Sequence, residues 1–351
     1  TGKYQEAEEC FDRIMSKDPE NTRAMIYKSA SLINQEKFTE ALSLISKILA
    51  LEPRNGMAML AQSIVLYRTG KIKESSEVLE KVFDIEPENP EVWNARGIIM
   101  RKLDRMKEEI FSYNRAIELD KFSPNACVNK AIWLMEINKY DAAKNLLDNV
   151  LSKRPDFSMA WRESGECQIK REHLRDALRC YEMALQYNPD DYESYNGKAE
   201  VMSKTGGNIN EILWTLEHSL SINSRQGRIW NNFGVHLVKA GRYEQAYKAF
   251  KNAYEQEDLH DEFLYNLLLL SMETGKKEDA ELYLKRFRDT ENQLDVPQAS
   301  KSEYLETSYR KTITPFLLID FADYFKCEIK DLPILLPKTG EYLASRKKLI
   351  K

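Results

Sequence analysis

Residues 81–93 read KVFDIEPENPEVW, and residues 47–59 read KILALEPRNGMAM. A Lys, an apolar stretch and a Glu-Pro return thirty-four positions apart. The step extends well beyond this pair. Prolines stand at Pro19, Pro53, Pro87, Pro155 and Pro189, with gaps of 34, 34, 68 and 34. Between them apolar residues recur at helical spacing, as in Ala41, Leu42, Ile45, Ile48 and Leu49, so each period reads as two amphipathic helices. One column holds small residues at Ser29, Ser63, Gly97, Ala131, Gly165, Ala199 and, after a one-residue slip, Gly234. A second runs Ala7, Ala41, Ser75, Ala143, Ala177, Ala246, Ala280. Small residues at fixed places on both helices let the backbones approach closely, and the proline stops the second helix before the next unit begins.

Bulk properties agree with an elongated array. A chain of 351 residues exceeds the usual size of one compact core. With 31% charged and 42% hydrophobic residues it has the composition of a folded, soluble chain. The net charge of -4 gives no global field for nucleic acid or an anionic membrane. No apolar run reaches the length of a membrane span, and the first residues, TGKYQEAEECF, are not a secretory leader. The five cysteines, Cys10, Cys127, Cys167, Cys180 and Cys327, form no C-x-x-C pair, so reduced thiols and a cytoplasmic location are expected.

A thirty-four-residue period with these columns resembles the tetratricopeptide repeat family. One unit reads Trp230, Gly234, Gly241, Tyr243, Ala246, Phe250, Ala253; another reads Trp161, Gly165, Leu174, Ala177, Tyr181, Ala184, Pro189. The match covers residues 1–290 as half a repeat and eight units beginning near Thr22, Gly56, Pro90, Pro124, Ser158, Tyr192, Gly227 and Asp261. The resemblance implies an all-α fold, a right-handed superhelical solenoid of antiparallel helix pairs. The departures are local. Glu109 and Ile212 occupy the small column of the second helix, Thr205-Gly206-Gly207-Asn208 lengthens one turn, and Leu268 fills the small site of the last unit. These units are expected to be splayed or rotated. Because the chain opens at a second helix, it reads as a segment of a longer array.

The residues show no reaction chemistry. His173, His218, His236 and His260 make no metal-ligand spacing with neighbouring Cys, Asp or Glu, and there is no nucleophile elbow, phosphate loop or dinucleotide fingerprint. Gly206-Gly207 reads as a stretched turn, and Glu108-Glu109 as helix charges. Trp93, Trp161 and Trp230 fall in the core aromatic column, leaving Trp133 and Trp214 as contact candidates. Neither an enzyme active site, a metal nor a cofactor is expected.

In the family that the chain resembles, first helices line a concave groove for extended peptides or partner helices, through positions two, five, six, nine, twelve and thirteen of each repeat. Those positions give Ile26, Tyr27, Leu60, Ile64 and Tyr67 at the N-terminal end. The middle gives Asn94, Ile98, Arg101, Lys102, Asn129, Arg162, Glu163, Glu166 and Lys170. The C-terminal part gives Asn196, Asn231, Asn232, Val235, Lys239, Tyr265, Asn266 and Leu269. An asparagine amide presents a donor beside an acceptor and so suits the backbone of an extended peptide. The asparagines resemble the ladder of peptide-binding family members, with Asn129, Asn232 and Asn266 at the best-matching position; the plainer reading is a soluble residue common at that column. No unit pairs Lys at position five with Asn at position nine, which disfavours a clamp for a C-terminal carboxylate.

A scaffold binding a protein or peptide segment is the leading expectation. The alternative is a targeting or regulatory arm of a larger enzyme, for example a glycosyltransferase-like protein. RNA binding would need recurring basic and aromatic groove residues, and the groove is mixed in charge. Residues 291–351 depart from the repeat columns. Ser300 with Glu303 makes a capping box, and Thr314-Pro315 starts a further helix, so residues 300–326 are expected to cap the apolar end around Leu282, Leu284 and Phe287. The following DLPILLP, residues 331–337, reads as an extended segment suited to a groove. The array ends and this tail are the surfaces through which copies of the chain would associate.

Overall fold

The computed structural model describes residues 2–256 and 261–293, and all of its secondary structure there is helical. The side chains of Tyr265, Leu284 and Phe287, the expected cap at 300–326, the 331–337 stretch and Cys327 lie outside the described residues. By compactness the chain divides into two units, Thr1–His173 and Leu174–Lys351.

The first unit starts with α1 (Gly2–Lys17). Four helix pairs follow: α2 (Thr22–Asn34) with α3 (Phe38–Leu51), α4 (Gly56–Arg68) with α5 (Ile72–Phe83), α6 (Pro90–Lys102) with α7 (Met106–Leu119), and α8 (Pro124–Glu136) with α9 (Tyr140–Lys153). It ends on α10 (Ser158–Lys170). The second unit holds α11 (Leu174–Tyr187), α12 (Tyr192–Lys204), α13 (Ile209–Ile222), α14 (Gly227–Lys239), α15 (Tyr243–Gln256), α16 (Asp261–Glu273) and α17 (Lys277–Gln293). Within each unit every helix packs on the next along the chain, as a solenoid requires.

The opening motif encodes the joint between repeats. In Glu86-Pro87-Glu88-Asn89 the Asn89 side chain turns two ways: its Oδ1 accepts from the Glu91 N–H at 2.9 Å, and its Nδ2 donates to Glu86 at 2.6 Å. Asn55 caps α4 from the Ala58 N–H at 2.9 Å and donates to Glu52 at 2.6 Å. Asn21 does the same with Ala24 and Asp18, at 2.9 and 3.0 Å. The Asn therefore satisfies an orphan N–H at the start of one helix while holding the acid that ends the previous one.

The turn inside each repeat is built differently. It places one residue in the left-handed region: Glu36, Gly70, Asp104, Asn138, Glu172, Gly206, Gly241 and Gly275 in succession, with φ between 57° and 80°. The longer Thr205–Asn208 turn keeps that geometry at Gly206 and starts α13 with an Asn208 cap on the Asn210 N–H.

The small columns are where paired helices touch. A Cβ added to Gly97 would lie 2.3 Å from the Tyr113 ring, and one added to Gly234 would lie 2.6 Å from the Phe250 ring. In the α4–α5 pair two serines meet instead: Ser63 Oγ donates to the Ser75 carbonyl at 2.9 Å and Ser75 Oγ to the Ser63 carbonyl at 2.7 Å. Glu109 and Ile212 are both buried at their small-column places, and so is Leu268. Gly97→Ala should therefore lower stability by about 1–3 kcal/mol through overpacking against a fully buried ring. Urea unfolding followed by circular dichroism reads this, and a midpoint equal to wild type would show that Tyr113 yields freely.

Candidate functional site

First helices of successive repeats lie side by side in the first unit. Tyr27 is 46% exposed, stacks on Phe11 with ring centres 6.1 Å apart, and has the Arg23 guanidinium 6.0 Å from its ring. Ile64 is exposed, while Leu60 and Tyr67 are half-buried against the α4–α6 core. Further along, Arg101 pairs with Glu136, joining α6 to α8. Half-buried Arg162 reaches Glu163 at 3.2 Å.

The asparagines are not independent rungs. Asn129 Nδ2 donates to Asn94 Oδ1 at 2.8 Å, across thirty-five residues of sequence and two adjacent first helices. In the second unit Asn266 Nδ2 donates to Asn231 Oδ1, also at 2.8 Å. Each pair joins position five of one repeat to position six of the next. Asn94, Asn231 and Asn266 are buried and Asn129 is half-buried. Asn196 is tied differently: it donates to Gln226 Oε1 at 2.8 Å and accepts from Ser219 Oγ at 2.7 Å. Asn232 and Lys239 are exposed. Sequence reasoning treated the asparagines as a column and missed their pairing, which spacing does not single out: Asn196 and Asn231 also stand thirty-five positions apart, yet Asn196 bonds Gln226.

Two of the buried titratable groups are Glu109 on α7 and His236 on α14. Glu109 is 2% exposed, with Oε1 lacking a hydrogen-bond partner. Burial pushes its carboxyl pKa up, Arg101 opposes that shift and Glu136 adds to it. His236 on α14 is 8% exposed with Nδ1 unpartnered, and burial, reinforced by Lys239, holds its pKa down to about 4. Among the described residues no group of three or more His, Cys, Asp and Glu side chains could hold a metal ion, and no helix is long and apolar enough to cross a membrane.

Three family profiles, each described as Tetratricopeptide repeat, match this chain at residues 32–99 and 134–201, at 1–56 and 231–292, and at 90–122. The chain belongs to the tetratricopeptide repeat family. Tetratricopeptide repeat-containing protein trd-1 of Caenorhabditis elegans is 25% identical over 141 residues, taking in 39% of this chain and 18% of that protein. Protein STIP1 homolog of Dictyostelium discoideum is 30% identical over 152 residues, 41% of this chain and 25% of that protein. The chain thus spans only a small part of the length of these curated relatives. Among solved structures, the APC/C hetero-tetramer Cut9-Hcn1 superposes with a TM-score of 0.63 at 13% identity, over 75% of this chain and 52% of that one. Yeast Tom70 gives 0.55 at 16%, over 81% and 62%. At these identities the likeness is one of fold.

Tetratricopeptide repeat proteins mediate contacts between proteins and are typically non-catalytic scaffolds. Buried Glu109 and His236 each add a pH-dependent contribution to stability. Folded Glu109 binds its proton more tightly than an unfolded glutamate near 4.5, so its penalty is absent below that value and grows as pH rises through the folded pKa. Glu109→Gln should be more stable than wild type at pH 7 and equal to it at pH 3; thermal melts at the two pH values check this. His236 works in the opposite sense. Unfolded His236 takes up a proton near 6.5 while the folded side chain resists until about 4, so stability is lost as pH falls through that window. His236→Leu should remove that part of the acid dependence, and an unchanged slope between pH 6.5 and 4 would contradict it.

Proposed function

We propose that the first-helix face is a groove that binds an extended peptide segment of a partner protein. The observation that carries this is a graded surface within the first unit. Tyr27 and Ile64 stand 46% and 37% exposed beside half-buried Leu60 and Tyr67, and Asn129 lies further along the same face. The Asn94 contact fixes the Asn129 amide by its Nδ2 and leaves Asn129 Oδ1 without a hydrogen bond among the described residues. A peptide N–H meeting that oxygen finds an acceptor already oriented, which lowers the ordering cost of binding. The apolar end supplies affinity and the amide supplies register, without demanding a particular ligand sequence. In the second unit Asn232 and Lys239 offer exposed polar groups for a similar role.

The test is a peptide-library selection followed by calorimetry on the selected peptide. Tyr27→Ala with Tyr67→Ala should weaken binding about tenfold or more. Asn129→Ala should cost about two- to tenfold, the value of one neutral hydrogen bond. Phe111→Ala, removing a 57%-exposed ring from second helix α7, should leave affinity unchanged. Selected peptides sensitive to Phe111 and indifferent to Tyr27 and Tyr67 would move the binding face to the second helices.

A further inference from the structure

An ion pair recurs along the array between the seventh residue of a first helix and the residue sixteen places earlier on the preceding second helix. Lys28 pairs with Asp12, Arg96 reaches Glu80 at 4.0 Å, and Lys198 reaches Glu182 at 3.3 Å. Where the earlier residue is not acidic, as at Ser46, Asn114 and Lys251, this pair is not expected; Asp148 has Ser164 sixteen places on and pairs instead with Lys144 of its own helix. Glu217 lacks that cation too, and no other cation among the described residues takes its place. Phe233 stands sixteen residues after it, and Glu217 has no hydrogen-bond or ion-pair partner among the described residues.

The replacement coincides with a cavity of about 540 Å³ in the second unit. It is lined by Trp230, Phe233 and Leu237 of α14, by Glu217 of α13 and by Lys248 of α15. Trp230 and Phe233 meet edge to face with ring centres 6.2 Å apart, and the indole is fixed by its Nε1 donating to the Ser224 carbonyl at 2.9 Å. Arg242, also at the cavity, donates to Asn210 Oδ1 at 3.1 Å. The site therefore combines aromatic faces, an aliphatic wall and one unpaired carboxylate.

We propose that this cavity takes a Lys or Arg side chain of a partner polypeptide, flanked by apolar residues. The aliphatic stem lies against Trp230, Phe233 and Leu237, and the cation meets Glu217, supplying from outside the charge that Lys28, Arg96 and Lys198 supply from within. The volume admits more than one side chain, which is why apolar neighbours are part of the motif. Lys248 and Arg242 disfavour a densely basic segment, so the matching ligand carries a single cation. The site involves none of the residues assigned to the peptide groove and stands or falls separately.

The probe is a capped peptide, acetyl-Ala-Leu-Lys-Leu-Ala-amide, compared with the same peptide carrying norleucine in place of Lys. Binding is read from the Trp230 indole N–H resonance in wild type, Glu217→Gln and Phe233→Lys. The Lys peptide should bind wild type about tenfold or more tighter than the norleucine peptide, as expected of a charge-assisted hydrogen bond. In Glu217→Gln that ratio should fall to about one, and Phe233→Lys, which restores the array's own cation, should bind neither peptide while keeping a wild-type or higher melting temperature. Should Phe233→Lys fail to fold, the Glu217→Gln ratio decides alone. No binding of either peptide, equal affinities in wild type, a ratio preserved in Glu217→Gln, or binding preserved in folded Phe233→Lys would each overturn the proposal.

Discussion

The close approach of the two helices in each repeat is the contact on which the other features rest. Gly97 against Tyr113, Ser63 against Ser75 and Gly234 against Phe250 are three chemical solutions to one spacing. In two of them a large ring fills the space a missing side chain leaves; in the third two hydroxyls bond each other's backbone carbonyl. Once that distance is set, each pair presents the same surface to its neighbours and the same step can repeat. Glu109 shows the cost of departing from it. A carboxylate placed in the small column is buried with an unpartnered oxygen, and its proton affinity rises in response.

The joints obey a second, local constraint. Between repeats, a side-chain amide both caps the incoming helix and ties back to the outgoing acid, so the joint is held by the Asn itself, as at Asn21, Asn55 and Asn89. Within repeats, one residue must accept positive φ. Gly takes that place four times among the described turns, whereas Glu36, Asp104, Asn138 and Glu172 take it with a side chain. These four tolerate a backbone that L residues disfavour because the helices on either side are already fixed by their packing.

The two proposed sites rest on places where the repeats differ. The repeats differ at exposed Tyr27 and Ile64, at the paired asparagines, and at Glu217, which is left without a partner among the described residues beside a cavity. A uniform array would bury its apolar faces and offer nothing distinctive to a partner. Both proposed binding sites lie at such interruptions, held in place by neighbours that keep the regular pattern.

Much of this was legible in the sequence. The helix pairs, their turns, the small columns and the family follow from a period that can be read by counting, because each reflects contact between residues close in sequence or one repeat apart. Even the long turn at Thr205–Asn208 and the odd occupants Glu109, Ile212 and Leu268 stood out as departures. The paired amides did not. Whether Asn94 reaches Asn129 depends on the lateral distance and rotation between adjacent first helices, which the linear pattern leaves open, and only the packed structure brings the two amides to 2.8 Å. The same holds for Glu217: its missing partner is apparent only after the fold has set the ion pairs of the other repeats side by side. Periodicity determined what repeats; the tertiary structure decided which polar groups spend their hydrogen bonds internally and which stay available, because that choice rests on distances between helices and not on the order of residues within them.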